Sequence, residues 1–136
     1  MGLFSGSRPA NLGVRDGRLA PPKRTPNCVS SQADSGDRTH YIEPLRFGGP
    51  PARAWAALKA AIQGMERVRI VREGRDYLYT EFTSRLMRYV DDVEFYLDGK
   101  AGVIHVRSAS RLGRRDFGVN RERIETIRQR MTAAST

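Results

Sequence analysis

Very little in this chain can form a covalent cross-link or hold a metal. Cys28 is the single cysteine among 136 residues, so no internal disulfide and no multi-cysteine zinc site can form. Histidine is limited to His40 and His105, too few for a histidine-rich metal centre. No apolar run approaches the ~20 residues that a membrane-spanning helix needs. The first residues lack the basic start and apolar stretch of an export signal. Met1–Gly6 nearly matches a myristoylation signal, but Gly6 stands where Ser or Thr belongs. A lone thiol and no leader predict a cytoplasmic location. Lysine is also scarce: Lys23, Lys59 and Lys100 stand against 21 arginines.

The net charge is +9 and the sequence pI about 10.6. A basic chain suggests nucleic acid or another anionic partner. A GC-rich genome that writes Arg and Ala freely gives the same composition. The sign is dispersed, because no basic run exceeds pairs such as Arg114-Arg115 and Lys23-Arg24. Nucleic-acid binders concentrate charge on one face and interleave stacking aromatics, so nucleic acid fits this pattern poorly.

The length suits one domain. Residues 1–24 read as an extended irregular arm. Pro9, Pro21 and Pro22, with Gly2, Gly6, Gly13 and Gly17, deny it regular hydrogen bonding. Leu3, Phe4, Leu12, Val14 and Leu19 suggest that it lies partly on the domain, as an accessory that can be removed. Residues 25–136 form the domain proper. His40–Leu45 alternates as a short strand ending near Pro44. Pro50-Pro51 opens a helix whose stripe is Trp55, Leu58 and Ile62, stopped by Gly64.

The period then changes from near 3.6 to 2. Strands are predicted at Arg67–Arg72, Asp76–Ser84, Arg88–Asp98 and Gly102–Ser110, with a hairpin turn at Asp98-Gly99-Lys100. Val68, Ile70 and Arg72 share one face of the first. Leu78, Thr80 and Phe82 oppose Tyr77, Tyr79 and Glu81, while Val93 and Phe95 oppose Asp92 and Glu94. A last helix is predicted from Asn120 as N-cap, with Val119 and Ile124 as a hydrophobic staple and Ile124, Ile127 and Met131 as its stripe. The expected fold is α+β: an antiparallel four- to five-stranded meander with two helices on one face. The order strand, helix, four strands, helix is that of TATA-binding-protein-like or trimmed helix-grip domains.

Polar residues collect in three places: Asp92 and Glu94, then Arg107, Ser108, Ser110 and Arg111, then Asp116, Asn120, Arg121 and Arg128. With a turn over 98–101, residue i opposes about 199 − i, so Asp92 faces Arg107 and Glu94 comes near His105. One reading is a structural ion-pair network across the sheet. The second is an anion site where Arg107, Arg111 and Arg121 converge, helped by Ser108, Ser110 and the helix start at Asn120. Catalysis by Asp92 and Glu94 would need a cleft and a shifted pKa. Cys28 and His40 are the minimum for a thiol nucleophile, and with Asp37 for a metal site, but no third catalytic member or familiar ligand spacing supports either. Asp116-Phe117-Gly118 copies the metal-binding tripeptide of protein kinases in a chain far too short to be one.

Three of these segments together carry a resemblance. Pro26-Asn27-Cys28-Val29-Ser30-Ser31 with Asp37, His40 and Pro44-Leu45 comes first. Val90-Asp91-Asp92-Val93-Glu94-Phe95 is the second. The third runs from Val106-Arg107-Ser108-Ala109-Ser110-Arg111 through Gly113 and Asp116–Arg121 to Arg123-Ile124-Glu125. In this order they resemble the bacterial and plastid family catalogued as domain of unknown function 1499. The resemblance implies one domain over about residues 25–130, and it implies no catalytic residue and no cofactor. The functional expectation is a non-enzymatic binding or interaction module. Its site would comprise Asp92, Glu94, Arg107, Ser108, Ser110, Arg111, Asn120 and Arg121, taking an anionic small ligand or a protein partner. The alternatives are a helix-grip binder of a hydrophobic ligand, marked by an enclosed apolar pocket under the last helix, and a nucleic-acid binder, marked by a continuous Arg face with exposed Tyr77, Tyr79 or Tyr89.

Overall fold

Alternation of side chains along β4 and β5 decides the architecture, because each strand buries both of its faces. The computed structural model describes residues 6–134, so the Met1–Ser5 part of the near-match to a myristoylation signal lies outside the described residues. The elements are β1 (Cys28–Ser30), β2 (Leu45–Arg46), α1 (Pro51–Gln63), β3 (Val68–Glu73), β4 (Tyr77–Thr83), β5 (Val90–Asp98), β6 (Val103–Ser110) and α2 (Val119–Ala134). The fold is α+β with an open antiparallel sheet. It has six strands rather than four or five, because β1 and β2 occupy successive stretches of one edge of β6. From there the meander runs β6-β5-β4-β3.

One face carries Leu78, Phe82, Val93, Phe95, Ile104 and Val106. These join Trp55, Leu58 and Ile62 of α1 and Ile124 and Ile127 of α2 in a single core. Leu58, Ile62, Ile124 and Ile127 are fully buried, so both helical stripes read from the sequence face this layer. α1 starts with Pro50 as N-cap and ends at Gly64, whose N–H donates to Ala60 O.

Several local expectations change. Of the strand expected over His40–Leu45, only Leu45 lies in a strand (β2), and His40–Pro44 holds no more than one bridge between Ser30 and Tyr41. The Asp37 carboxylate accepts from the Thr39 and His40 N–H groups and curls this segment into a turn, so pairing begins only after Pro44. A bulge between Ile70 and Arg72 moves Arg72 to the face of Tyr79 and away from Val68 and Ile70. The β5–β6 turn is two residues longer than expected, because residues 99–102 separate the paired Asp98 and Val103. Gly102, at φ +70, donates to Asp98 O and closes it, and only glycine adopts that φ without strain. Pairing therefore shifts by two residues: Asp92 opposes Ala109, Glu94 opposes Arg107 and Tyr96 opposes His105. A shift of two keeps every side chain on its predicted face.

α2 starts differently too. Asp116 caps it, its carboxylate accepting from the Gly118 and Asn120 N–H groups at 3.0 Å each. Val119 is exposed and staples nothing. Asn120, fully buried in the first turn, docks the helix on the sheet. Its Oδ1 accepts from Ser108 Oγ at 2.6 Å, and its Nδ2 donates to Ser110 Oγ, Asp116 Oδ2 and the Asn27 carbonyl. Arg123 adds an ion pair to Asp91 at 2.8 Å and lies 4.8 Å over the Phe82 ring. Removing Asn120 strands several buried polar groups at once. Asn120→Ala is expected to lose about 2–4 kcal/mol in urea unfolding, while exposed Gln129→Ala on the same helix stays within about 0.5 kcal/mol.

Candidate functional site

The face of the sheet without helices is polar and largely buried. β4 presents Tyr77, Tyr79 and Glu81, β5 presents Asp92 and Glu94, and β6 presents Arg107, with Arg111 just beyond its end. Residues 6–24 cover this face. The Gly13 N–H donates to Glu94 Oε2 at 2.8 Å, and Pro21 O accepts from Arg107 Nε and Nη2. Lys23 donates to Ser110 O, and Arg8 pairs with Glu81 at 2.8 Å. Leu19 is only 4% exposed. The segment expected as an accessory arm thus forms hydrogen bonds to buried groups of the sheet.

Glu81 and Asp92 oppose each other directly on β4 and β5, a repulsive arrangement taken alone. Arg111 resolves it with one guanidinium, which reaches Glu81 at 2.5 Å and Asp92 at 2.9 Å. The Tyr79 hydroxyl donates to Asp92 Oδ1 at 2.5 Å and accepts from Arg111 Nη2 at 3.2 Å. Burial, followed by the Asp92 contact, pushes the Tyr79 phenol upward. Burial opposes the charge on Glu81, but Arg8, Tyr79 and Arg111 outweigh it and hold its carboxyl below the ordinary value.

Glu94 differs. It is fully buried, and Oε2 takes the Gly13 N–H and the Tyr77 hydroxyl while Oε1 has no hydrogen-bond partner among the described residues. Burial raises its pKa, partly opposed by those two donors and by Arg107.

The eight residues expected to share one site divide three ways. Asp92, Glu94, Arg107 and Arg111 lie on the arm-covered face, whereas Ser108, Ser110 and Asn120 dock α2 on the other. Arg121 points its guanidinium at the Arg38 and Thr39 carbonyls. The three arginines therefore do not converge. Nor do Asp92 and Arg107 pair: Arg111 takes Asp92, and Arg107 serves Pro21 O.

The Cys28 thiol is fully buried beside the Val29 carbonyl, and burial pushes its pKa up. The His40 ring is held between Asp37 Oδ2 at 2.7 Å and Thr25 O at 3.0 Å, so it does not activate the thiol. Among the described residues no group of three His, Cys, Asp or Glu side chains is placed to hold a metal.

Toward β3 the arm stops covering the face. A hollow of about 1010 Å³ opens there, lined by Arg8, Arg67, Arg69, Arg88, Arg111 and one carboxylate, Glu81. Arg67 is tied to Glu66 and the Thr83 carbonyl. Arg69 and Arg88 make no ion pair among the described residues and stay exposed. Sequence reasoning found only Arg111 of this set. Arg67 and Arg69 alternating with Val68 and Ile70 was the available signal, since alternation places both on the face of Glu81. A hollow of this kind gathers planar, always-charged forks suited to phosphate, sulfate or carboxylate.

Residues 18–131 match the family described as Protein of unknown function (DUF1499). The chain belongs to this family. The match spans β1 to α2 and takes in the covering segment from Arg18 onward, so the family's domain includes part of the polar face's cover. No curated protein and no solved structure matches the chain. Among the described residues no helix is long and apolar enough to cross a membrane.

Because the folded pKa of Glu94 lies above 4.5, its contribution to stability is full below that pH and is lost as pH rises through the folded value. Wild type is therefore expected to lose stability relative to Glu94→Gln as pH rises above 4.5, read by urea unfolding at successive pH values. A difference that does not change with pH would contradict the burial argument.

Proposed function

We propose that this protein is a non-enzymatic binding module whose ligand is a phosphate-bearing anion seated in the Arg-lined hollow beside β3. The observation that carries the reading is the imbalance of charge there. Five guanidiniums line the hollow against one carboxylate. Arg8 and Arg111 are answered by Glu81 and Asp92, and Arg67 by Glu66. Arg69 and Arg88 remain for a ligand. Burying apolar surface would require a different cavity: the hollow near the C-terminal part of α2 is about 240 Å³ and rimmed by Arg46, Arg53 and Arg128. That is below the size usual for a small-molecule pocket, which argues against the hydrophobic-ligand alternative. Of the three marker rings Tyr79 is buried and Tyr77 is bonded to Glu94; Tyr89 alone is exposed, and one ring falls short of the series of platforms on which successive bases stack. The buried, free Cys28 is compatible with the cytoplasmic setting that forms part of this reading.

Melting with and without inorganic pyrophosphate at fixed ionic strength tests the assignment. A ligand at ten times its Kd adds about 1.4 kcal/mol, a shift of a few degrees. The double variant Arg69→Ala with Arg88→Ala is expected to melt near wild type without ligand and to lose the shift. An equal shift in both proteins, or none in wild type, contradicts the reading.

A further inference from the structure

The large apolar side chains that remain exposed are not scattered. Among the described residues they are Leu86, Met87, Tyr89, Leu112, Phe117 and Val119. All belong to the β4–β5 loop, the β6–α2 loop or the first residue of α2. Antiparallel pairing brings these loops to one end of the sheet: Thr83 opposes Val90, Asp91 opposes Ser110, and the Arg111 N–H donates to Val90 O. Leu86 is 86% exposed and Phe117 95%. Isolated exposed apolar residues are ordinary, but their concentration at one end of a molecule marks an interaction surface.

The same loops carry Arg85, Arg88, Arg114 and Arg115, none of which makes an ion pair among the described residues. Their one acid, Asp116, is occupied by the Gly118 and Asn120 N–H groups. Arg88 also lines the Arg-rich hollow, so hollow and loops open side by side.

We infer that this end of the sheet docks the protein on an anionic lipid surface, with Leu86, Met87 and Leu112 entering the interface and the hollow receiving a phosphate headgroup. The headgroup seat rests on the anion reading proposed above. The docking face rests on the loops alone. Aliphatic tips ringed by unpaired arginine match a bilayer interface, which accepts apolar side chains of any shape and supplies the missing negative charge. A second copy of this chain would set Arg85, Arg88, Arg114 and Arg115 against the same arginines in a chain of net charge +9. A nucleic acid would meet the arginines and two exposed rings, Tyr89 and Phe117, but it offers no apolar surface to cover Leu86, Met87 and Leu112.

The test is co-sedimentation of the full chain with vesicles of phosphatidylglycerol and phosphatidylcholine in equal parts, against phosphatidylcholine alone. Binding is expected only to the anionic vesicles. Leu86→Ser with Met87→Ser should weaken it by about tenfold or more, and Arg85→Ala by about fivefold. The apolar double variant should keep the pyrophosphate melting shift, since neither residue lines the hollow. Wild type that ignores anionic vesicles but keeps the melting shift overturns the lipid inference and leaves the hollow reading intact. Vesicle binding abolished by the apolar variant without any melting shift supports the docking face and overturns the hollow as a seat. Equal vesicle binding by wild type and the apolar variant overturns the loops as the docking element. So does a wild-type dimer in solution that the apolar variant dissociates.

Discussion

Asp92 and Glu94 lie two residues apart on β5, buried on the face that carries no helix. Two carboxylates taken out of water must be answered by donors or charges, or the strand cannot pair where it does. Asp92 is answered from within the sheet by Arg111 and Tyr79. Glu94 is answered by Tyr77 and by a backbone N–H from Gly13, outside the sheet altogether. Much of the polar face follows from that difference. The segment 6–24 supplies the Gly13 donor, the Pro21 acceptor for Arg107 and the Lys23 donor for Ser110 O. It acts as a third layer built of irregular chain, which its proline and glycine content allows because, beyond one bridge between Arg15 and Arg18, polar groups such as Gly13 N–H and Pro21 O bond to side chains of the sheet.

The arginine excess has a matching explanation. Guanidiniums close off carbonyls of irregular chain across the molecule: Arg107 on Pro21, Arg121 on Arg38 and Thr39, Arg128 on Glu43 and Pro44, Arg130 on Gly64. A fork with several donors does this without any acid nearby, so the positive charge remains while the residue is structurally engaged. Much of the +9 is therefore scaffold. At the loop end and the adjoining hollow, Arg69, Arg85 and Arg88 make no such hydrogen bond or ion pair among the described residues.

The sequence made the two faces of β4 and β5 legible because alternation of Leu78, Thr80 and Phe82 with Tyr77, Tyr79 and Glu81 is unambiguous. Both helical stripes were legible for the same reason. Register was not, because it depended on whether Ala101 and Gly102 belonged to the turn, and those two residues moved the pairing by two. The partner of Asp92 was missed with it. β1 escaped because three residues carry no period, and Arg72 changed face through a bulge that leaves no mark in composition. The proposed site was spread over a near-terminal arm, an edge strand and a loop. Proximity of Arg8, Arg69, Arg88 and Arg111 exists only after folding, and only Arg111 stood among the expected site residues. Asn120 was read as a cap because Asn before an apolar stripe usually is one. The actual capping carboxylate, Asp116, lies four residues earlier.

The central claim is that residues 6–24 are a structural layer over buried carboxylates. Deleting residues 1–24 tests it most directly, with thermal and urea unfolding of the truncated and full chains compared at neutral pH. Without the segment, Glu94 and Arg107 lose hydrogen-bond partners while still attached to the sheet. The account predicts a loss of about 3 kcal/mol or more, a Tm lower by about 10 °C. A truncated chain that melts cooperatively within about 2 °C of the full chain, a loss under about 1 kcal/mol, would contradict it.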